Sequence, residues 1–214
     1  MDEKTHRALV ADYKDDSVSF IDLREKSMIR TIDVGRGPVD VAIDNALGLA
    51  VVVNNRDSSI ALIDLNTYGV KDVIPAGQNP VAVAVDTKRH VAAIVNGTDD
   101  TVSVVHLISM NSYALPACKH PTDVAINPLN GHALILCDGD RRLVVMDLAA
   151  RVIKAEYPMD KKPYSCAINE FMNTVVATDY VTDTLTIIRL PNPVPSITET
   201  TPSSLSAAAT RRRF

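Results

Sequence analysis

The 214-residue sequence contains no tryptophan and only three phenylalanines and six tyrosines, so aromatic side chains, at 4%, cannot dominate its core. Its three cysteines, Cys118, Cys137 and Cys166, are odd in number and nowhere spaced as CxxC. That pattern signals neither a disulfide framework nor a zinc site, and the three read as small hydrophobes. No stretch approaches the ~20 apolar residues of a membrane-spanning helix, and no apolar segment of a signal peptide follows Met1-Asp2-Glu3-Lys4. The formal net charge of −4 argues against nucleic acid or an anionic membrane as a partner, because both attract excess Lys and Arg. The short run Arg211-Arg212-Arg213 reads as a solvated tail. No segment carries a sustained i, i+3, i+4, i+7 apolar stripe, which argues against a helical fold. A Gly-x-Ser-x-Gly elbow, a phosphate loop and an HExxH motif are all missing.

What is present is repetition. Asn79-Pro80-Val81-Ala82-Val83-Ala84-Val85-Asp86 has echoes beginning at Pro38, Pro121 and Pro163, so that the prolines step by 42, 41 and 42 residues. A second landmark, an apolar run closing on Leu23, Leu65, Leu107, Leu148 and Leu190, steps by 42, 42, 41 and 42. A third, Asp12, Asn54, Asn96, Cys137 and Asp179, keeps the same stride. Three registers moving together identify a repeat array.

Within a repeat the pattern is that of strands. Val81, Val83 and Val85 alternate with small residues, Val91-Ala92-Ala93-Ile94-Val95 and Val102-Ser103-Val104-Val105 are β-rich runs, and turn residues such as Asn96-Gly97-Thr98-Asp99 separate them. Each repeat thus offers four strands: A after the proline, B ending at the Asn/Asp landmark, C ending at the leucine, and a weaker D. Four-stranded units of ~40 to 50 residues predict an all-β fold, a β-propeller of antiparallel blades. The proline suits the start of strand A, where a missing N–H costs nothing. Gly35, Gly37 and Gly77 suit the tight crossing before it, and Asp22, Asp64 and Asp147 suit side-chain caps of the C-to-D turn.

These residues resemble the YVTN family of β-propeller repeats, over about Leu9 to Leu190. Asp12, Asn54, Asn96 and Asp179 fit that family's Asn at the end of strand B, whereas Cys137 departs from it. The absence of Trp argues against WD-type blades. The blades are expected over residues 1–190: a partial first blade at 1–35, then units 36–77, 78–118, 119–160 and 161–190. The first unit supplies strands B, C and D and the last A, B and C, so the expectation is four to five blades belonging to a larger ring of six to eight. The alternative is a five-bladed ring with two imperfect blades. Residues 191–214 read as a Pro/Ser/Thr-rich linker. Equally, Asn192-Pro193-Val194-Pro195-Ser196-Ile197-Thr198 and Thr201-Pro202-Ser203-Ser204 resemble the opening of an IPT/TIG-type immunoglobulin-like domain.

The D-to-A and B-to-C loops of such blades share one face, where binding residues concentrate. The ligand-face candidates are Arg36, Asn55, Arg56, Gln78, Asn79, Lys119, His120, Asp138, Arg141 and Lys162. Asp40 and Asp123, two residues after their prolines, are candidates to face a central channel. The five histidines recur at no common register, so no converging set of metal ligands is expected. Asp138-Gly139-Asp140 lacks the further oxygen ligands of a calcium loop. The reading favours a non-catalytic scaffold without metal or cofactor. It would bind a protein or glycan on the loop face, associate with itself through open blade edges, and belong to an extracellular or periplasmic parent protein. The alternative is the propeller part of an enzyme, lactonase-like or redox, whose catalytic residues lie in blades outside this chain.

Overall fold

The computed structural model describes residues 5–159, 162–191 and 210–213. Two compact units divide the chain at Leu115/Pro116. The first holds three antiparallel sheets. Strands β1 (Arg7–Asp12), β2 (Ser17–Asp22) and β3 (Ser27–Asp33) form one; β4 (Pro38–Asp44), β5 (Leu49–Asn54), β6 (Ser59–Asp64) and β7 (Gly69–Pro75) form the next. The third comprises β8 (Pro80–Asp86), β9 (Val91–Asn96), β10 (Thr101–His106) and β11 (Ser112–Pro116). The second unit holds two: β12 (Pro121–Asn127), β13 (His132–Cys137), β14 (Arg142–Asp147) and β15 (Val152–Pro158), then β16 (Pro163–Asn169), β17 (Thr174–Asp179), β18 (Thr184–Arg189) and β19 (Thr210–Arg213). Strands pair in sequence order within every sheet, which is the meander of a propeller blade.

The burial pattern explains the apolar runs. Every residue of β5 and of β9 is buried, because these second strands are covered on both faces, and a strand so covered loses the usual alternation. The outermost strands β3 and β7 are almost wholly exposed, which is why strand D is faint in the sequence. Neighbouring blades interlock through opposite faces. Val18 and Phe20 of the first pack with Ala50, Val52, Ala61 and Ile63 of the second; Leu49, Val51, Val53, Ile60 and Leu62 of the second pack with Val83, Ala92, Ile94 and Val105 of the third. In the second unit, Leu134, Leu136, Leu143 and Val145 pack with Val175, Ala177 and Ile188.

The repeat proline opens strands β4, β8, β12 and β16. A β-bulge follows it each time, skipping Val39, Val81, Thr122 and Tyr164 in the pairing. A bulge turns the following side chain away from the regular pleat, and this sets the direction of Asp40 and Asp123.

Several expectations need correction. Cys118 and Cys137 form a disulfide, with Cα atoms 6.1 Å apart. The odd count concealed it because the third cysteine, Cys166, is free. The pairing has a repeat logic: Gly35 lies so close to Asn54, and Gly77 to Asn96, that an added Cβ would fall within 2.5 and 2.6 Å of the amide nitrogens. Cys118 and Cys137 occupy the registers of that Gly–Asn pair, so a covalent bond replaces a tight van der Waals contact. Glycine is therefore needed at 35 and 77 for close approach. The left-handed residue of the crossing is the one just before the proline, Gly37 at φ 61°, Asn79 at 54° and His120 at 50°, where Asn and His tolerate that region better than most residues. Two of the five histidines, His6 and His90, share a register with Gly48, Gly131 and Asn173, left-handed just ahead of strand B. Finally, Thr210–Arg213 pairs with β18 as the fourth strand of the last sheet, where the sequence suggested a solvated tail. The remainder of the linker or immunoglobulin-like opening, residues 192–209, lies outside the described residues, as does residue 214.

Candidate functional site

Most polar groups of the loop-bearing side are engaged in holding the loops. In three blades a B-to-C turn carboxylate accepts the backbone N–H of the residue two before the proline: Arg36 N to Asp57 Oδ2 at 2.5 Å, Gln78 N to Asp99 Oδ2 at 2.6 Å and Lys119 N to Asp140 Oδ2 at 2.8 Å. Asp16 takes the N–H of Gly37 at 2.7 Å, and Asp179 that of Lys162 at 2.6 Å. The carbonyls of Gly37, Asn79 and His120 in turn accept from Asn55, Gly97 and Asp138. The two loops of one blade are thus a single bonded body.

The sequence candidates fall into this network. The exposed Arg36 guanidinium pairs with Asp57 at 2.6 Å. Asn55 Nδ2 donates to Asn79 Oδ1 at 2.7 Å and to the Pro80 carbonyl at 2.9 Å, joining successive crossings. Arg56 stacks over the Tyr13 ring at 4.5 Å, and His120 Nδ1 meets Asp138 Oδ1 at 2.5 Å. Gln78, Lys119, Arg141 and Lys162 are exposed. Arg141 accepts Met159 N–H with its carbonyl at 2.8 Å.

Asp40 and Asp123, the channel candidates, accept hydrogen bonds from the inner strand of the next blade. Asp40 Oδ1 accepts Val41 N–H and its Oδ2 accepts Val83 N–H on the next blade, each at 2.8 Å. Asp123 repeats this with Val124 at 2.8 Å and, across the blade boundary, Cys166 N–H at 2.7 Å and the Ser165 hydroxyl at 2.8 Å. Both are carboxylate staples between inner strands. Burial first, and the neighbouring Asp123 carboxylate second, push the Cys166 thiol well up, keeping it protonated.

Hydrogen bonding lowers several turn carboxylates below their usual value of 3.8. Asp57 is held down by the Arg36 N–H and guanidinium, Asp64 by the N–H groups of Thr67 and Asn66, and Asp140 by that of Lys119. In Asp179, burial raises the value but is outweighed by three N–H donors, from Lys162, Thr182 and Val181. A folded-state value below the unfolded one adds stability that is present above the unfolded value and lost as pH falls through the folded one. The urea midpoint should therefore hold from pH 7 to about 4.5 and drop steeply below pH 4; a midpoint unchanged at pH 3 would contradict these caps.

One feature of this side was not singled out in the sequence. Tyr164 and Tyr180 are 62% and 59% exposed and stand edge to face, ring centroids 5.7 Å apart, beside the exposed Val181. Tyr164 is the bulge residue after Pro163, so it points away from the pleat, and Tyr180 opens the B-to-C turn next to the Asp179–Lys162 bond. In the other blades the register of Tyr164 holds Val39, Val81 and Thr122, and that of Tyr180 holds Tyr13, Asn55, Gly97 and Asp138. Among the described residues no three His, Cys, Asp or Glu side chains converge as a metal site would require.

No protein-family profile and no curated protein sequence matches this chain. By structure, 1317 solved chains match. One is hydrazine synthase of Kuenenia stuttgartiensis, which contains a β-propeller; it superposes with a TM-score of 0.66 at 19% identity over 78% of this chain and 50% of that one. The chain thus spans about half the length of that protein. At this identity the likeness concerns architecture, and with the five antiparallel sheets it identifies the fold as a β-propeller.

Proposed function

We propose that this chain is a YVTN-type propeller module serving as a binding scaffold, and that it docks a protein partner at Tyr164 and Tyr180. The observation that carries this reading is the exposed edge-to-face tyrosine pair on a fold whose tyrosines number six in all. Tyrosine offers large, rigid, amphipathic contact area at small entropic cost and is enriched at the centres of protein interfaces. The surrounding carboxylates are occupied as backbone caps, which suits a rigid presenting surface better than acid–base chemistry. The Cys118–Cys137 bond supports an extracellular or periplasmic setting, where disulfides persist.

The competing reading, a propeller portion of an enzyme, draws on the likeness to hydrazine synthase. Peptide and glycan arrays probed with the purified chain separate the readings. Selected peptides should bind, and Tyr164→Ala or Tyr180→Ala should each weaken binding about tenfold or more, the loss expected of an interface anchor. Val73→Ala, on the outer strand β7, should change nothing. Selection of glycans alone would redirect the reading to carbohydrate, and stoichiometric uptake of haem or a divalent metal would favour the enzyme.

A further inference from the structure

The second and third blades pack face to face within the first unit. Beside that contact, on the loop-bearing side, they leave a cleft of about 460 Å³ lined by Gly77 of the crossing, Asp99 of the B-to-C turn, Thr101 and Ser103 of β10, and Tyr113 of β11. Differences between repeats meet here. In the first blade Asp12 Oδ2 accepts the hydroxyl of Ser19, the equivalent of Ser103, at 2.6 Å; in the second, Asn54 faces Ala61, which has no hydroxyl. Among the described blades only the third sets a serine in this register beside an asparagine. Asn96 Nδ2 donates to Ser103 Oγ and to Thr101 Oγ1, each at 2.9 Å, and Gly77 N–H donates to Ser103 Oγ at 3.3 Å. A serine oxygen has two acceptor positions and one proton. Ser103, only 4% exposed, therefore has both acceptor positions filled and its proton left to donate, with no acceptor for it among the described residues. The carboxylate differs too. In the second blade the Arg36 guanidinium closes over Asp57 Oδ1 at 2.6 Å. At the equivalent positions Gln78 gives Asp99 Oδ2 only its backbone N–H, and Asp99 Oδ1 remains open.

We propose that this cleft binds a neutral, hydroxyl-rich small ligand, one sugar ring, through Ser103, Thr101 and Asp99. The chemistry of the lining selects that class. Hydroxyl protons are offered on β10 and a carboxylate oxygen on the adjoining turn, and neighbouring hydroxyls of a ligand, each both donor and acceptor, satisfy the two together. A carboxylate or phosphate ligand would meet Asp99 as a like charge, and a cation would leave the buried Ser103 proton unmatched, which costs free energy. The Tyr113 ring, 6.0 Å from that of His106, supplies the apolar surface that the C–H groups of a sugar ring require. The cleft has the volume of a small-molecule site. It lies in the other unit from Tyr164 and Tyr180, and the inference does not rest on the docking role proposed for them.

The test is titration of the isotope-labelled full chain with free glucose, galactose, mannose, fucose and N-acetylglucosamine, followed by NMR. At least one sugar should shift the Gly77, Gln78 and Ser103 amides saturably at millimolar concentration and leave those of β13 unmoved. Equal binding of its methyl glycoside would mark the end of a glycan as the source, and preference for the free form a free monosaccharide; either supports the site. Ser103→Ala restores the residue of the second blade, and Gln78→Arg restores the cover over the carboxylate. Both variants should therefore fold, as circular dichroism checks, and each should weaken binding about tenfold or more. Tyr164→Ala should bind the sugar as the native chain does, which keeps this site distinguishable from the protein-docking one. Silence of the whole panel would overturn the proposal. So would undiminished binding in both Ser103→Ala and Gln78→Arg, or a stronger response of these amides to acetate or methylamine than to any sugar.

Discussion

Reduction of the Cys118–Cys137 disulfide should lower the stability of the 116–214 unit by about 3 kcal/mol, the loop-entropy value for a closure of roughly twenty residues. The bond joins the crossing before Pro121 to the end of β13. Cys137 is fully buried and Cys118 nearly so, so a moderate reductant should act only slowly on the folded chain. The repeat supplies an internal control. Cys118→Gly with Cys137→Asn recreates the pair seen at Gly35/Asn54 and Gly77/Asn96, and this double variant should fold and lose all sensitivity to reductant. Cys137→Asn alone should be worse than the double, because the Cβ of Cys118 would meet the new amide where glycine leaves room. Urea unfolding of the three proteins with and without dithiothreitol checks this order. A single Cys137→Asn chain as stable as the double would refute the equivalence of the two pairs.

The second large effect belongs to the staples. Asp123→Ala removes the acceptor for Cys166 N–H, Ser165 Oγ and Val124 N–H together, and Asp40→Ala that for Val83 and Val41. A half-buried N–H left without a partner costs about 1–3 kcal/mol, so each variant should lose roughly 2 kcal/mol. Replacement by Asn retains an acceptor and should recover part of it. Denaturant midpoints of the four single variants measure this. Alanine variants with wild-type stability would contradict the role of Asp40 and Asp123 as staples.

The all-β blade pattern was legible because each signal is local or periodic. Burial on both faces makes β5 and β9 continuous apolar runs, the pyrrolidine ring marks where strand A begins, and the C-to-D aspartates cap their turns as their position implies, Asp64 Oδ1 taking the N–H groups of Asn66 and Thr67 at 2.8 and 3.0 Å. What was not legible depends on how one blade meets the next. A bulge shifts the register after each proline by one residue, and Asp40 and Asp123 reach the neighbouring strand, a contact that no local sequence pattern signals. The same shift exposes Tyr164. The disulfide was hidden because Cys118 and Cys137 are 19 residues apart and fit no familiar spacing. Only alignment of the repeats shows them replacing Gly and Asn. β19 was missed because Thr-Arg-Arg-Arg carries no apolar alternation.

Asp40 and Asp123 are joints between blades. Hydrogen exchange at the Val83 and Cys166 amides, followed by NMR, tests this most directly. Both amides should exchange slowly in the native chain, and Val83 should become fast in Asp40→Ala and Cys166 in Asp123→Ala, while amides of β5 and β13 remain protected. Equal exchange of Val83 and Cys166 in native and variant chains would contradict the account.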